Sequence, residues 1–467
     1  MKIKVEIWNI FVVSMLLMLL YAALNPACAL MNTALQDSNT HLNSKLGYVC
    51  QSIMSLVSMV GGLLAPPIRS VVGHKTLILV SALLHVAVYV GMIILTEWAV
   101  ILGSMVTGLG EGLIWVVVPN FVTLCSEHRH IERNLSYHMF IYNFNGVAGN
   151  ILNYLCLDDS RTITDSARIR YFTACTVMTI LATVLSGLAV CSPKTNNAEL
   201  SSLGDNADLR LITDDISDNT KLLPDTEEAE SVHTEENNAP KNFQRRCIDF
   251  FMNPSIRALT VTNTYFGVMT TLCVIVPMCI SNTYENRHLI PIMGVAIGIS
   301  RLVTTGLFDW MARMTSYTTI QYLQTLASIT WVLLIFLAFP NNSLHHFTPG
   351  EEPLILMGDW VVYLLGILNG CTATWLGVLV TVSTGKVSRD TKTMNGFEPD
   401  VVFAYTMIVW SLSSAISLAI TPYVSLYLYC CVTAVGIIAN HFCFYYDVLP
   451  LIGQYAGRKR KEKSVHY

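Results

Sequence analysis

Charge is what this sequence has least of. Asp, Glu, Lys and Arg make up 13% of its 467 residues, about half of the roughly 25% carried by a water-soluble domain. What charge there is clusters, since positions 192–249 alone hold 13 acidic and 6 basic residues. The net charge is −4 and no basic stripe exists before the extreme C-terminus, so a nucleic-acid partner is not expected. Metal and disulfide signatures are missing too. The 13 cysteines include no Cys-x-x-Cys pair, and most, such as Cys50, Cys175, Cys273 and Cys443, sit inside apolar runs. They read as small buried hydrophobes, with no metal site and no disulfide framework. His85, His138 and His441 stand alone, without a second ligand at helical spacing. No Walker loop, dinucleotide glycine pattern or nucleophile–base set is found, so neither an enzyme nor a cofactor is expected.

What the sequence does have is long apolar runs. Hydrophobic residues reach 53% and the mean hydropathy is +0.50. Runs recur near 8–30, 47–68, 76–95, 98–122, 136–157 and 170–191, then 256–280, 289–311, 316–339, 357–381, 400–420 and 423–446. Each is about the length of one bilayer crossing. They lack the alternation of barrel strands, and a spanning chain must satisfy its backbone internally, so helices are expected. The expected fold is an all-α polytopic membrane protein of 12 transmembrane helices, arranged as a 6+6 pseudo-repeat. Residues 1–191 would be the N-terminal six-helix half, 192–249 a disordered acidic cytoplasmic loop, 250–450 the C-terminal half and 451–467 a basic cytoplasmic tail. The first run has signal-peptide features (Lys2, Lys4 and Ala27-Cys28-Ala29), but its apolar core exceeds the usual length and reads as a membrane anchor.

Charge also sets the expected orientation. With both termini cytoplasmic, 22 Lys and Arg fall inside, against Lys45, Arg161, Arg168, Arg170 and Arg287 outside, as the positive-inside rule requires. Asn341, in Asn341-Asn342-Ser343 on the outer side, is then a glycosylation candidate, whereas Asn134-Leu135-Ser136 lies inside and should stay bare. In the acidic loop, Asp218 with Leu222 and Leu223 fits an acidic dileucine sorting motif, pointing to the plasma membrane, the endosome–lysosome system or both. Arg245, Arg246, Phe250 and Phe251 suggest a short interfacial helix before the seventh crossing.

The halves carry traces of duplication. Gly108, Gly112, Val122 and Thr123 in the fourth run reappear 258 positions later as Gly366, Gly370, Val380 and Thr381 in the tenth. Those are the runs that a parallel six-helix repeat would equate.

A more specific likeness covers runs two to five. Gly61-Gly62-Leu63-Leu64-Ala65-Pro66-Pro67-Ile68 followed by Val72-Gly73-His74-Lys75, then Gly108-Leu109-Gly110-Glu111-Gly112-Leu113-Ile114-Trp115 with Phe121-Val122-Thr123, then Tyr137 through Gly149-Asn150-Ile151, resemble the uncoordinated-ninety-three-like family. This is the ion channel regulatory protein branch of the major facilitator superfamily. The resemblance implies a facilitator fold. It also implies a role as an accessory subunit of a potassium channel or as a trafficking partner of a receptor. The chain departs from the family at Glu111 and Leu113, where small residues and Pro are usual. Its short sequence beyond Arg458-Lys459-Arg460-Lys461 also weighs against the receptor-chaperone role.

Glu111 is the most informative residue. A carboxylate at the middle of a crossing costs about 2.5–3.5 kcal/mol on insertion scales, so it is either a proton- or substrate-coupling group or a protonated structural one. Ser104, Thr107, Gly108, Glu111 and Trp115 share one helical face, expected to line a central cavity or a helix contact. Arg301, equally deep in the eighth run, is the expected partner of Glu111, with Asp309 nearer the inner end as a competing, gate-end charge. Asn143, Gly146, Asn150 and Asn153 form a narrow arc suited to helix packing or ligand contact, and Asn369 with Thr372 repeats the pattern in the tenth run. Two functions follow as expectations. The first is an accessory protein in the lipid bilayer that modulates or traffics a channel or receptor subunit. The second is a secondary transporter of a small molecule, proton-coupled through Glu111.

Overall fold

The structure is a computed structural model describing residues 5–37, 45–126, 131–157, 163–189, 250–284, 288–314, 317–343, 354, 360–387 and 399–448. Within them the regular structure is helical throughout. The first half contains α1 (Val5–Asp37), α2 (Leu46–Val72), α3 (His74–Leu84), α4 (Val86–Ile94), α5 (Glu97–Leu124), α6 (Ile131–Asn143), α7 (Asn145–Cys156) and α8 (Asp165–Ala189). The second contains α9 (Pro254–Tyr284), α10 (Leu289–Met314), α11 (Tyr317–Ala338), α12 (Trp360–Val387), α13 (Pro399–Ile420) and α14 (Leu426–Cys443). By compactness, residues 1–190 and 253–467 make one unit and 191–252 another.

Among the described residues, 11 helical stretches are long and apolar enough to cross a membrane. The run expected as the fifth crossing is not among them because it is broken at Phe144 into pieces of 13 and 12 residues. At the break the Asn145 amide donates to the Tyr142 carbonyl at 2.5 Å and accepts from the Asn25 amide at 2.8 Å. A side chain thus takes over part of the helix ladder. The two pieces follow one another directly and together supply the twelfth crossing.

The third crossing is broken for a related reason. The Thr107 hydroxyl, reaching over from α5, donates to Leu84 O at 3.3 Å and accepts from Val88 N at 3.2 Å. It stands between two groups that an unbroken helix would pair with each other, and α3 gives way to α4 at His85. Two helix starts are conventionally capped. Thr96 and Ser425 accept from Ala99 N and Leu428 N at the starts of α5 and α14. Gly73, at φ +78° and ψ 164°, ends α2 in a conformation that only glycine adopts readily.

Helix neighbours repeat after six crossings. In the first half, α2 packs on α5, α1 on α7 and α8, and α5 on α3 and α4. In the second, α10 packs on α12, α9 on α13 and α14, and α12 on α11. The halves meet through α2 with α13 and through α7 with α10, again an equivalent pair. The repeated glycines occupy matching places. Gly108 and Gly112 press against the α2 backbone at Met54 and Ser58, and Gly366 and Gly370 against α10 at Met293 and Ile297. In lipid, where burial does not distinguish protein from solvent tails, such close approach is what holds helices together.

Candidate functional site

Glu111 lies midway along the 28-residue α5 and Arg301 midway along the 26-residue α10. Both line a cavity of about 350 Å³ bounded by helices from the two halves. Along the helices its lining runs from Ile290 and Leu418 near one end to Phe403 and Thr384 near the other. Among the described residues, no ion pair joins Glu111 to Arg301. The expected latch is therefore not made in this conformation. The Arg301 Nε is buried without a hydrogen-bond partner, while Tyr142 is close enough to interact electrostatically with both charges.

Aromatic rings build one wall. Tyr21, Trp115 and Tyr142 make a triangle with each pair of ring centroids 5.4 Å apart. Trp115 then meets Trp410 edge-on across the halves at 6.0 Å, and Trp410 stacks on Phe266 at 5.5 Å. The Trp410 indole N–H donates to the Thr270 hydroxyl at 3.3 Å. The lining is thus apolar in area with a few fixed polar groups, as small-molecule sites are.

Amides and hydroxyls supply the rest. Asn143 donates across the halves to Thr305 at 2.8 Å, and Thr305 in turn bonds to the Arg301 carbonyl at 2.7 Å. Asn150 bonds to Gly146 O at 2.7 Å and fills the space against Gly294. Asn143, Gly146 and Asn150 all line the cavity, so packing and lining are the same residues here. On the opposite seam, Ser58 and Ser411 are bonded at 2.7 Å, and Ser52 donates to Ala415 O at 2.8 Å. Counted from the ends carrying the chain termini, several cross-half contacts fall in the farther half of their crossings. Ser52, Ser58, Ser411, Ala415, Gly146 and Gly298 are all placed there.

Other expected site residues lie elsewhere. Thr107 does not line the cavity, because its hydroxyl is committed to the break between α3 and α4. Asn369 is buried behind the wall, donating to the Cys273 sulfur at 3.1 Å. Asn153 is buried and also outside the lining. The Asp309 side chain falls outside the described residues, as do Asp218, Leu222 and Leu223. Asn341 sits in the turn after α11 and packs against the start of α14, where its amide oxygen accepts from Tyr427 N at 3.2 Å. Sequence reasoning passed over Tyr21, Tyr142, Trp410 and the Ser58–Ser411 pair. Aromatic and hydroxyl side chains in apolar runs carry no signal of their own until helix packing brings them together. The amide of Asn25, set within a long apolar helix, was the available clue.

Two pseudo-equivalent six-helix halves around a shared cavity define a protein of major facilitator architecture. The chain belongs to a family within that architecture: the model of "Ion channel regulatory protein UNC-93" matches residues 38–445. It is 22% identical to the UNC93-like protein MFSD11 of Xenopus tropicalis over 434 residues, covering 90% of this chain and 91% of that one. The Xenopus laevis protein of the same name is 22% identical over 355 residues, 75% of this chain and 74% of that one. In fold it is similar to the xylose transporter XylE from E. coli in a partially occluded inward-open conformation, at TM-score 0.61, 15% identity and coverage of 95% and 98%. It is also similar to a peptide transporter POT in complex with sulfate, at TM-score 0.58, 12% identity and 95% of both chains.

Proposed function

We propose that this protein is a secondary carrier, moving a small solute by exposing the cavity between its halves to one side of the membrane and then the other. The observation that carries the reading is the placement of Glu111 and Arg301, from opposite halves, in one shared cavity at mid-helix without an ion pair between them. A purely structural bundle gains nothing from two unmatched charges at that depth. In a carrier they are the groups whose partners change as the halves rock. The lysine and arginine asymmetry supports an orientation with both termini in the cytoplasm, and the proposed site of action is the plasma membrane or the endosome–lysosome system. Asn341 would then be the glycosylated residue. Its backbone-bonded oxygen leaves the amide nitrogen as the point of attachment.

Purified protein in vesicles loaded with a defined solute mixture tests this by following which components exchange. Exchange above empty vesicles is expected, falling at least about tenfold in Glu111→Gln, which removes the titratable group. Family membership favours a second reading, an accessory protein that modulates or traffics a channel through helix contacts. Absence of any exchange, together with co-purification of a channel subunit, would replace the first reading by the second.

A further inference from the structure

We infer that the cavity takes a zwitterionic small molecule, its cationic end at Glu111 among aromatic rings and its anionic end at Arg301. The inference rests on the reading of this cavity as a ligand site. Its starting point is a charge mismatch. Among the described residues, no side chain forms an ion pair or hydrogen bond with the Glu111 carboxylate or the Arg301 guanidinium. Two opposite charges that share a cavity yet remain unjoined are each left without compensation, an arrangement that low-dielectric surroundings disfavour. A singly charged ligand would satisfy one and leave the other. A molecule bearing both charges satisfies both.

The surroundings of each charge fit this division. Trp115 follows Glu111 by one helical turn on the same face of α5, and with Tyr21 and Tyr142 it forms the triangle of rings described above. Aromatic faces beside a carboxylate attract an ammonium or quaternary ammonium group. Around Arg301 the neighbours are neutral hydrogen-bonding groups, Thr305 and Asn143, whose bonds are already made to each other and to the Arg301 carbonyl. The guanidinium fork is therefore the group left to receive a carboxylate or other oxyanion. The volume of about 350 Å³ lies within the range of small-molecule sites and admits a molecule of amino-acid or betaine size.

The test measures ligand-induced thermal stabilisation of the full-length protein in detergent. The probes are the twenty protein amino acids and a set of betaines, each compared with its amide or ester (cation only) and with the matching deaminated acid (anion only). At least one zwitterion is expected to stabilise the wild type. Its single-charge analogues should bind about tenfold more weakly or worse, as loss of a charge-assisted contact implies. Glu111→Gln should erase the preference over the anion-only analogue, and Arg301→Gln the preference over the cation-only one. Absence of stabilisation by every zwitterion would overturn the inference, as would equal stabilisation by anions alone with Glu111 serving only as a proton site. The wild-type comparison needs no variant to fold. Zwitterion binding without vesicle exchange would leave this inference standing while removing the carrier reading. Exchange confined to neutral or singly charged solutes would do the reverse.

Discussion

Gly298→Leu is expected to force the two halves apart and to lower the thermal stability of the protein by more than any single change at the cavity wall. Gly298 on α10 and Gly146 on α7 meet directly, and a Cβ added to Gly298 would run into the backbone of Gly146 and Val147. Backbone cannot rotate out of the way as a side chain can, so the helices must separate. Overpacking of this kind typically costs about 1–3 kcal/mol. Here it also opens the seam that carries the Asn143–Thr305 bond. Gly306, two turns further along the same helix, faces only the Phe140 ring at 3.8 Å. Gly306→Leu should therefore be tolerated. Melting curves of the two variants side by side check the prediction, and equal stability would show that the α7–α10 contact is not tight.

A second large effect is expected on activity. The Ser58 and Ser411 hydroxyls are 2.7 Å apart on the other seam, between α2 and α13, close enough for a disulfide once both are cysteine. Oxidised Ser58→Cys/Ser411→Cys protein should lose solute exchange down to the level of empty vesicles and regain it on reduction, because one seam can no longer open. Either single variant should keep its exchange under the same oxidant, a necessary control in a chain with 13 native cysteines. Exchange undiminished in the fully cross-linked double variant would mean that transport does not need this seam to part.

The architecture was legible in the sequence to a degree that the cavity was not. Twelve apolar runs and the glycine spacing shared by Gly108-x-x-x-Gly112 and Gly366-x-x-x-Gly370 report directly on crossings and close helix contacts, since both depend on composition and period. The breaks at His85 and Phe144 were not legible, because they are made by Thr107, Asn145 and Asn25, side chains that act from or toward other turns of the bundle. Glu111 and Arg301 stood out because ionised groups are rare at mid-helix. Their placement in one cavity without pairing is a tertiary fact. Thr107 and Glu111 share a face by helical arithmetic, yet Thr107 meets α3 and α4 while Glu111 meets the cavity. A helical face is wide enough to touch two neighbours, and spacing alone does not say where one ends and the other begins.

The rocking of the two halves can be measured without knowing the solute. Spin labels introduced as non-canonical residues at Val49 and Ile420, near the ends of α2 and α13 away from the termini, report on one side of the bundle. Labels at Tyr137, midway along α6, and Met314, at the end of α10, report on the other. All four positions are exposed. Pulsed dipolar distances in lipid nanodiscs should show two populations for each pair, the long fraction of one matching the short fraction of the other. A single, unchanging distance in both pairs across pH and across the solute mixture would contradict alternating exposure of the cavity.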